Sequence, residues 1–123
     1  MSVKQKRLWG EYEELKHSYG EYKIKILTID PDKSISLQYH LHRSEIWTVL
    51  RGAGQAKING VKKFILEGDT VVVPLGVTHK LTNVGKIDLV ILEAQIGSYC
   101  EEDDIVRFPT EVVKPEELPE EKK

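Results

Sequence analysis

The chain has a single cysteine, Cys100, among its 123 residues. An internal disulfide is therefore excluded, and the composition fits a reducing compartment, the cytoplasm. Excess charge is lacking too: 18 Lys and Arg stand against 20 Asp and Glu, a net charge of −2. Such a balance points to neither nucleic acid nor an anionic membrane surface as a partner. No apolar run approaches the roughly 20 residues a membrane span requires. The opening stretch MSVKQKRLWGEYEEL has no apolar core of the kind that directs secretion. No segment repeats at a fixed period. What remains is one soluble domain, long enough for a two-layer core.

The residues that are present are β-rich. YKIKILTI (22–29), ISLQYHLH (35–42), IWTVLRG (46–52), QAKI (55–58), KKFIL (62–66), TVVVP (70–74), THKLTN (78–83) and IDLVILEAQI (87–96) alternate apolar with polar residues or form short branched runs. DPDKS, Asn59-Gly60, EGD, PLG and NVGK separate them. Asn-Gly accepts positive φ at both central positions of a tight turn, so residues 59–60 predict a hairpin joining QAKI to VKKF. Short strands at this spacing predict an all-β sandwich or small barrel. Residues 1–19 are expected to form an irregular arm or a short helix at EYEELK. The tail PTEVVKPEELPEEKK (109–123) is rich in Pro, Glu and Lys and is expected to fray, leaving residues 1–108 as the domain.

SLQYHLHRSEIWTVLRG (36–52) sets a glutamine, two histidines and a glutamate close together. On an extended strand, Gln38, His40 and His42 share one face. Glu45 follows a short turn and can bring its carboxylate beside them. Imidazole and carboxylate are good ligands for first-row divalent metals. His79, after the turn Pro74-Leu75-Gly76, is the candidate for a further ligand from elsewhere in the chain. In GDTVVVPLGVTHKLTN, Gly68 permits a turn into a strand, Pro74 and Gly76 make a bend, and His79 enters the next strand.

With its Gly68, Pro74, Gly76, His79 and Asn83, that stretch resembles the second cupin motif. His40-x-His42, Glu45 and then Gly52 resemble the first, with fifteen residues from Gly52 to Gly68. The resemblance implies a double-stranded β-helix, or jelly-roll barrel, with a metal held inside. RLWGEYEEL (7–15), SLQYHLHRSEIW (36–47) and LEAQIGSYCEEDDIVRF (92–108) resemble, more narrowly, the cupin domain of type II mannose-6-phosphate isomerases. That domain is often fused to a mannose-1-phosphate guanylyltransferase. Its pattern is approximately RPWG, SLQxHxHRxEHW and EVQxGxYLxExDIxR. Leu8 here replaces its proline and Ile46 a histidine, and its Tyr-Gly-Arg ending is absent. No glycine-rich pyrophosphorylase motif is present, so guanylyl transfer is not expected of this chain.

The resemblance also implies a ligand register. The glutamate lies five residues after the ligating histidine, which selects His40 and, two residues earlier, Gln38. The implied metal set is Gln38, His40, Glu45 and His79, holding one divalent ion, zinc first, with Mn, Fe, Co or Ni as alternatives. His42 then becomes a pocket residue, or a substitute ligand if the turn is tighter. The implied reaction interconverts mannose 6-phosphate and fructose 6-phosphate. His42 and Glu93 are the candidate proton carriers, Glu93 and Gln95 sharing a strand face. Arg107 matches the DIxR position and joins them as a catalytic candidate. Arg43, Lys25 and Gln95 are the substrate-binding candidates, Lys25 the weakest because YKIK can turn both lysines to solvent. A homodimer is implied as well. Two alternatives accompany this reading: a metal-bound sugar-phosphate-binding domain without turnover, and another cupin enzyme, a dioxygenase or sugar epimerase.

Overall fold

A computed structural model of the chain describes residues 3–18, 21–97, 99–100 and 105–107. Alternating side chains produce strands throughout: β1 (Lys4–Arg7), β2 (Gly10–Ser18), β3 (Tyr22–Ile29), β4 (Ser34–His40), β5 (Arg43–Arg51), β6 (Gly54–Ile58), β7 (Val61–Ile65), β8 (Thr70–Val73), β9 (His79–Asn83), β10 (Leu89–Gly97) and β11 (Ile105–Arg107). They form two antiparallel sheets, ordered β1-β2-β3-β10-β5-β8 and β11-β4-β9-β6-β7. This is the expected jelly-roll barrel. No helix occurs among the described residues, hence none long and apolar enough to cross a membrane. Asn59 and Gly60, at φ 51° and 80°, turn β6 into β7 with Ile58 opposite Val61.

Three expectations change. The arm or helix over residues 1–19 is instead the β1–β2 hairpin, with β2 paired along β3. Tertiary pairing wins here because β3 would otherwise be an open edge, and Tyr12 packs against the core where EYEELK offers a helix no continuous apolar stripe. The strand expected to reach His42 ends at His40, and residues 41–42 bend. Lys23 and Lys25 point inward, each 4 % exposed, while Ile24 and Ile26 take the outer face. The expected fraying of residues 109–123 falls outside the described residues.

Register then grades the barrel from one end to the other. On β10, Leu89, Ile91, Glu93 and Gln95 face inward; on β3, Ile29, Leu27, Lys25 and Lys23 sit opposite them in that order. On β5, Val49 pairs Ile91, Trp47 pairs Glu93 and Glu45 pairs Gln95. Each strand is therefore apolar at one end and polar at the other. The apolar ends meet Ala56, Ile65, Val71, Val73 and Leu81 to form the core. The polar ends line a cavity. Asn83 closes the apolar end: its Nδ2 donates to the carbonyl oxygens of Ile29 and Ile87 (2.8 and 2.9 Å), and its Oδ1 accepts from Gly85 N (2.9 Å).

The polar ends of β5 and β10 come unusually close. A Cβ on Gly97 would strike the His42 carbonyl oxygen and lie 2.8 Å from Arg43 Cα, both backbone atoms that cannot swing aside. At Gly60 a Cβ would meet nothing within 4 Å, and only its φ of +80° resists a side chain. We expect Gly97→Ala to cost about 3 kcal/mol or more, from overpacking, and Gly60→Ala only about 1 kcal/mol, from its backbone angle. Urea unfolding of both variants measures this; equal midpoints would mean the two strands are not in such close contact.

Candidate metal centre

Three elements deliver the polar floor of the cavity. β4 ends on His40, β5 starts two residues before Glu45, and β9 starts on His79. The bend after Pro74 is fastened to β4, since Gly76 N donates to the His40 carbonyl oxygen at 2.7 Å. That bond, with Gln38 opposite His79 in the β4–β9 register, fixes the loop and strand together. Glu45 Oε2 lies 2.9 Å from His40 Nε2, and Glu45 Oε1 lies 3.9 Å from His79 Nε2. All three side chains are buried, and one donor atom from each falls within 4.8 Å of the others, a group able to hold a metal ion. Gln38 lines the same cavity; its Nε2 donates to the Ser36 carbonyl oxygen (3.2 Å), leaving Oε1 as the acceptor it can present.

The chemistry of these donors fits a cation. Burial pushes the His79 pKa down, against the opposing field of Glu45, and favours the neutral ring. His79 Nδ1 lies 3.1 Å from the Val77 carbonyl oxygen, which can only accept, so Nδ1 carries the proton and Nε2 turns a bare lone pair toward Glu45. His40 Nδ1 is buried without a hydrogen-bond partner among the described residues. Two imidazoles and a carboxylate converging in this way are what Zn, Mn, Fe, Co or Ni accept.

Beside Glu45 sits a second buried carboxyl, Glu93. Trp47 Nε1 donates to both, at 3.0 Å to Glu45 Oε1 and 3.1 Å to Glu93 Oε2, and Gln95 Nε2 donates to Glu93 Oε1 at 2.9 Å. Two such groups cannot both ionise cheaply in a dry site. Burial, the Glu45 charge and their shared hydrogen bond raise Glu93 to about 8, with Lys25 and Arg43 pulling the other way. Burial also opposes ionisation of Glu45, but hydrogen bonds with His40 and Glu93 and the fields of both imidazoles outweigh it and hold its pKa below the carboxylate range. Glu45 is the anion and Glu93 the acid.

Cations cover this floor. The cavity above it, of ≈ 90 Å³, is lined by Arg7, Lys25, Arg43 and Arg107 as well as Tyr12, Glu93 and Gln95. Lys25 Nζ sits 4.3 Å from the centre of the Tyr12 ring. Arg7 packs 4.9 Å from that centre and donates to Tyr12 Oη (3.2 Å) and to its neighbour's carbonyl oxygen (2.8 Å). A wider cavity of ≈ 420 Å³ adjoins, sharing Arg7, Trp9, Ile35, Gln38 and Arg107 and adding Lys33, Ser34 and Ser36.

Most of the residues expected from sequence thus gather in one place: Gln38, His40, Glu45, His79, Glu93, Gln95, Lys25, Arg43 and Arg107. His42 does not. It is exposed on the bend after β4, its ring edge-on to Tyr99 at 6.0 Å. Period-two alternation placed it with His40, and the strand ends too early for that. Trp47, Arg7 and Lys33 were missed. The polarity reversal along inward strand faces would have pointed to Trp47; nothing local marks Lys33.

The family model described as "Mannose-6-phosphate isomerase C-terminal" matches residues 1–110. The chain is 45% identical over 103 residues to the mannose-1-phosphate guanylyltransferase ManC of Salmonella typhimurium, covering 83% of this chain but 21% of that protein. The chain therefore spans about a fifth of that relative. Among solved structures it resembles the Schizosaccharomyces pombe Cnp3 cupin domain (TM-score 0.69, 13% identity, 71% of this chain and 64% of that one). It also resembles the capsular polysaccharide assembling protein CapF of Staphylococcus aureus (0.76, 14%, 88% and 34%). A third likeness is to a putative sugar phosphate isomerase of Acidithiobacillus ferrooxidans (0.57, 27%, 62% and 50%).

Two outcomes follow from the site. Elemental analysis should find divalent metal lost from His79→Ala and retained in His42→Ala; the reverse would mean a different ligand set. In chelator-treated protein, Glu93 keeps a proton up to about pH 8 that the unfolded chain releases near 4.5. Stability therefore falls as pH rises across that window, because the folded state binds more protons. Glu93→Gln, which mimics the neutral acid, should raise the melting temperature more at pH 8 than at pH 5. An equal gain at both would show Glu93 to be ionised throughout.

Proposed function

We propose that this chain, which belongs to the mannose-6-phosphate isomerase C-terminal family, interconverts mannose 6-phosphate and fructose 6-phosphate in the cytoplasm. One observation carries the reading: two cavities adjoin, the inner one holding Glu45, His79 and Glu93, and the wider one sharing Arg7 and Arg107 with it and adding Lys33 but no carboxyl or imidazole. A hexose phosphate has the same division, with a carbonyl and hydroxyls at one end and a dianion at the other. At ≈ 90 Å³ the inner cavity is smaller than a ligand site of roughly 300 Å³ or more. The sugar end enters it, and the phosphate remains among the outer cations, where arginine's planar fork suits its oxygens.

Gln38, His40, Glu45 and His79 are the proposed metal ligands, zinc being the first candidate. A divalent cation bound there supplies Lewis-acid stabilisation of the oxyanion that develops beside the reacting carbon. Glu93 is the proposed proton carrier. One of its oxygens takes the proton from the carbon beside the carbonyl and returns it to the former carbonyl carbon, while the hydroxyl proton passes from the neighbouring oxygen to the former carbonyl oxygen. A buried carboxyl with a pKa near 8 is a stronger base when ionised than an ordinary one, and close to the working pH. Trp47 and Gln95 hold that carboxyl in place, and Lys25 faces it across the β3–β10 pair. His42 has no part in this scheme.

The replacement at position 46 is compatible with turnover. Glu45 and Trp47 face the cavity, so Ile46 between them faces outward and removes nothing from the site. The name of the Acidithiobacillus protein, a putative sugar phosphate isomerase, agrees with this reading. The guanylyltransferase name belongs to a protein of which this chain spans 21%, and that activity is not proposed here.

A coupled assay with mannose 6-phosphate tests the proposal. Metal-loaded protein should turn over, and chelator should abolish the rate. Glu93→Gln should lower kcat by about 100-fold or more with KM little changed. Arg107→Ala should instead raise KM about tenfold. Binding without turnover by fully loaded protein would leave a sugar-phosphate-binding domain in place of the isomerase.

A further inference from the structure

The Arg43 guanidinium reaches the very atoms that face the proposed metal. Its Nε lies 3.1 Å from Glu45 Oε2, and its Nη2 lies 3.3 Å from His40 Nε2. Those two atoms are 2.9 Å apart, hydrogen-bond distance, so without a metal a proton sits between the imidazole and the carboxylate. The buried Glu45 charge needs a positive partner as well, and the guanidinium supplies it. Arg43 is itself 3 % exposed, a depth at which arginine is rarely found unless paired. A metal about 2.0–2.2 Å from the same nitrogen and oxygen would displace the proton between them and place a second positive charge against Arg43 Nε, which donates to Glu45 Oε2.

We propose that Arg43 is an internal counter-cation that competes with the metal, so that His40 and Glu45 serve one or the other. Two features make the exchange a side-chain movement. The Arg43 backbone is held in β5 opposite Gly97, at the close contact where no Cβ fits. The cavity that Arg43 lines gives its side chain a place to go. While the guanidinium is engaged, the buried Glu45 charge is compensated. Metal entry then carries the cost of breaking that arrangement. Arg43 thereby sets how tightly a cation must bind before it is retained. The proposal rests on the ligand set given above and not on the reaction assigned to it.

The test uses the whole chain, stripped with a chelator and titrated with Zn²⁺ or Co²⁺ in a calorimeter, with thermal unfolding measured before and after loading. Arg43→Met keeps the length of the side chain and removes its charge. It should bind the metal at least tenfold more tightly than wild type, melt at a lower temperature when stripped, and gain more on loading. Arg43→Lys keeps a charge but loses the fork, and should fall between the two. It also serves if the stripped Met variant fails to fold. Equal or weaker metal binding by these variants would overturn the proposal, because Arg43 would then be a bystander or a support for the bound ion. A wild type that takes up no divalent cation would overturn it too. No turnover enters the measurement, so an inactive protein that shows the tightening supports the exchange while refuting the isomerase.

Discussion

The buried charge of Glu45 is the constraint around which the rest of the site is arranged. A carboxylate 2 % exposed loses the water that would stabilise it, and in an apolar interior it would take up a proton instead. Every neighbour answers that loss. His40 lies against one oxygen, Trp47 donates to the other, and Arg43 brings a full positive charge. Glu93 responds by keeping its proton, which turns a repulsion into a hydrogen bond. A buried ion pair of this kind seldom adds stability compared with apolar packing. Its presence at the end of a barrel already closed by Leu27, Ile29, Ile65, Leu81, Leu89 and Ile91 is better explained by chemistry than by folding.

The barrel separates these two tasks along each strand. Residues 49, 91 and 29 pack in the core, residues 47 and 27 pack there and also reach the cavity wall, and residues 43, 45, 93, 95 and 25 of the same strands line the cavity, while Lys23 lies 3.6 Å from Glu14. Because the registers of β3, β10 and β5 are aligned, the transition from apolar to polar falls at one level across the sheet. Trp47 stands at that level. Its ring belongs to the core, and its indole nitrogen holds both carboxyls. Position 46 shows the other side of the same alternation: Ile46, between the buried Glu45 and Trp47, lies on the outer face.

Much of this was legible in the sequence. Asn59-Gly60 announced its hairpin through a backbone angle that few residue pairs accept, and the polar and apolar alternation located β3 to β10. Alternation and the bend at Pro74 and Gly76 offered Gln38, His40, His42, Glu45 and His79 as a group, and the family resemblance narrowed it to Gln38, His40, Glu45 and His79; the structure brings His40, Glu45 and His79 together as a group able to hold a metal ion. What local pattern could not supply was the partner strand. EYEELK forms β2 only because β3 lies beside it, and residues 105–107 form a strand only along β4. YKIK has the same alternation whichever face is buried, so the inward turn of Lys23 and Lys25 depended on their neighbours across β10. His42 was misplaced for the opposite reason: alternation continued on paper for one step past the last ladder contact.

The sheet order has a consequence for how the chain comes to be folded. β10 lies between β3 and β5, yet the described strands β4 to β9 separate it from β3 in the chain. The larger sheet therefore cannot close until residues 89–97 have left the ribosome, and YKIKILTI must wait through about half of the chain with an unpaired edge. Pairings of such long sequence separation are slow to form and exposed to misassociation meanwhile. During that wait, Lys23 and Lys25 put charge into a strand that is otherwise apolar but for Thr28, as charged gatekeepers do in aggregation-prone segments. Lys25, which ends up lining the cavity, thus protects the segment first, before there is a cavity to line.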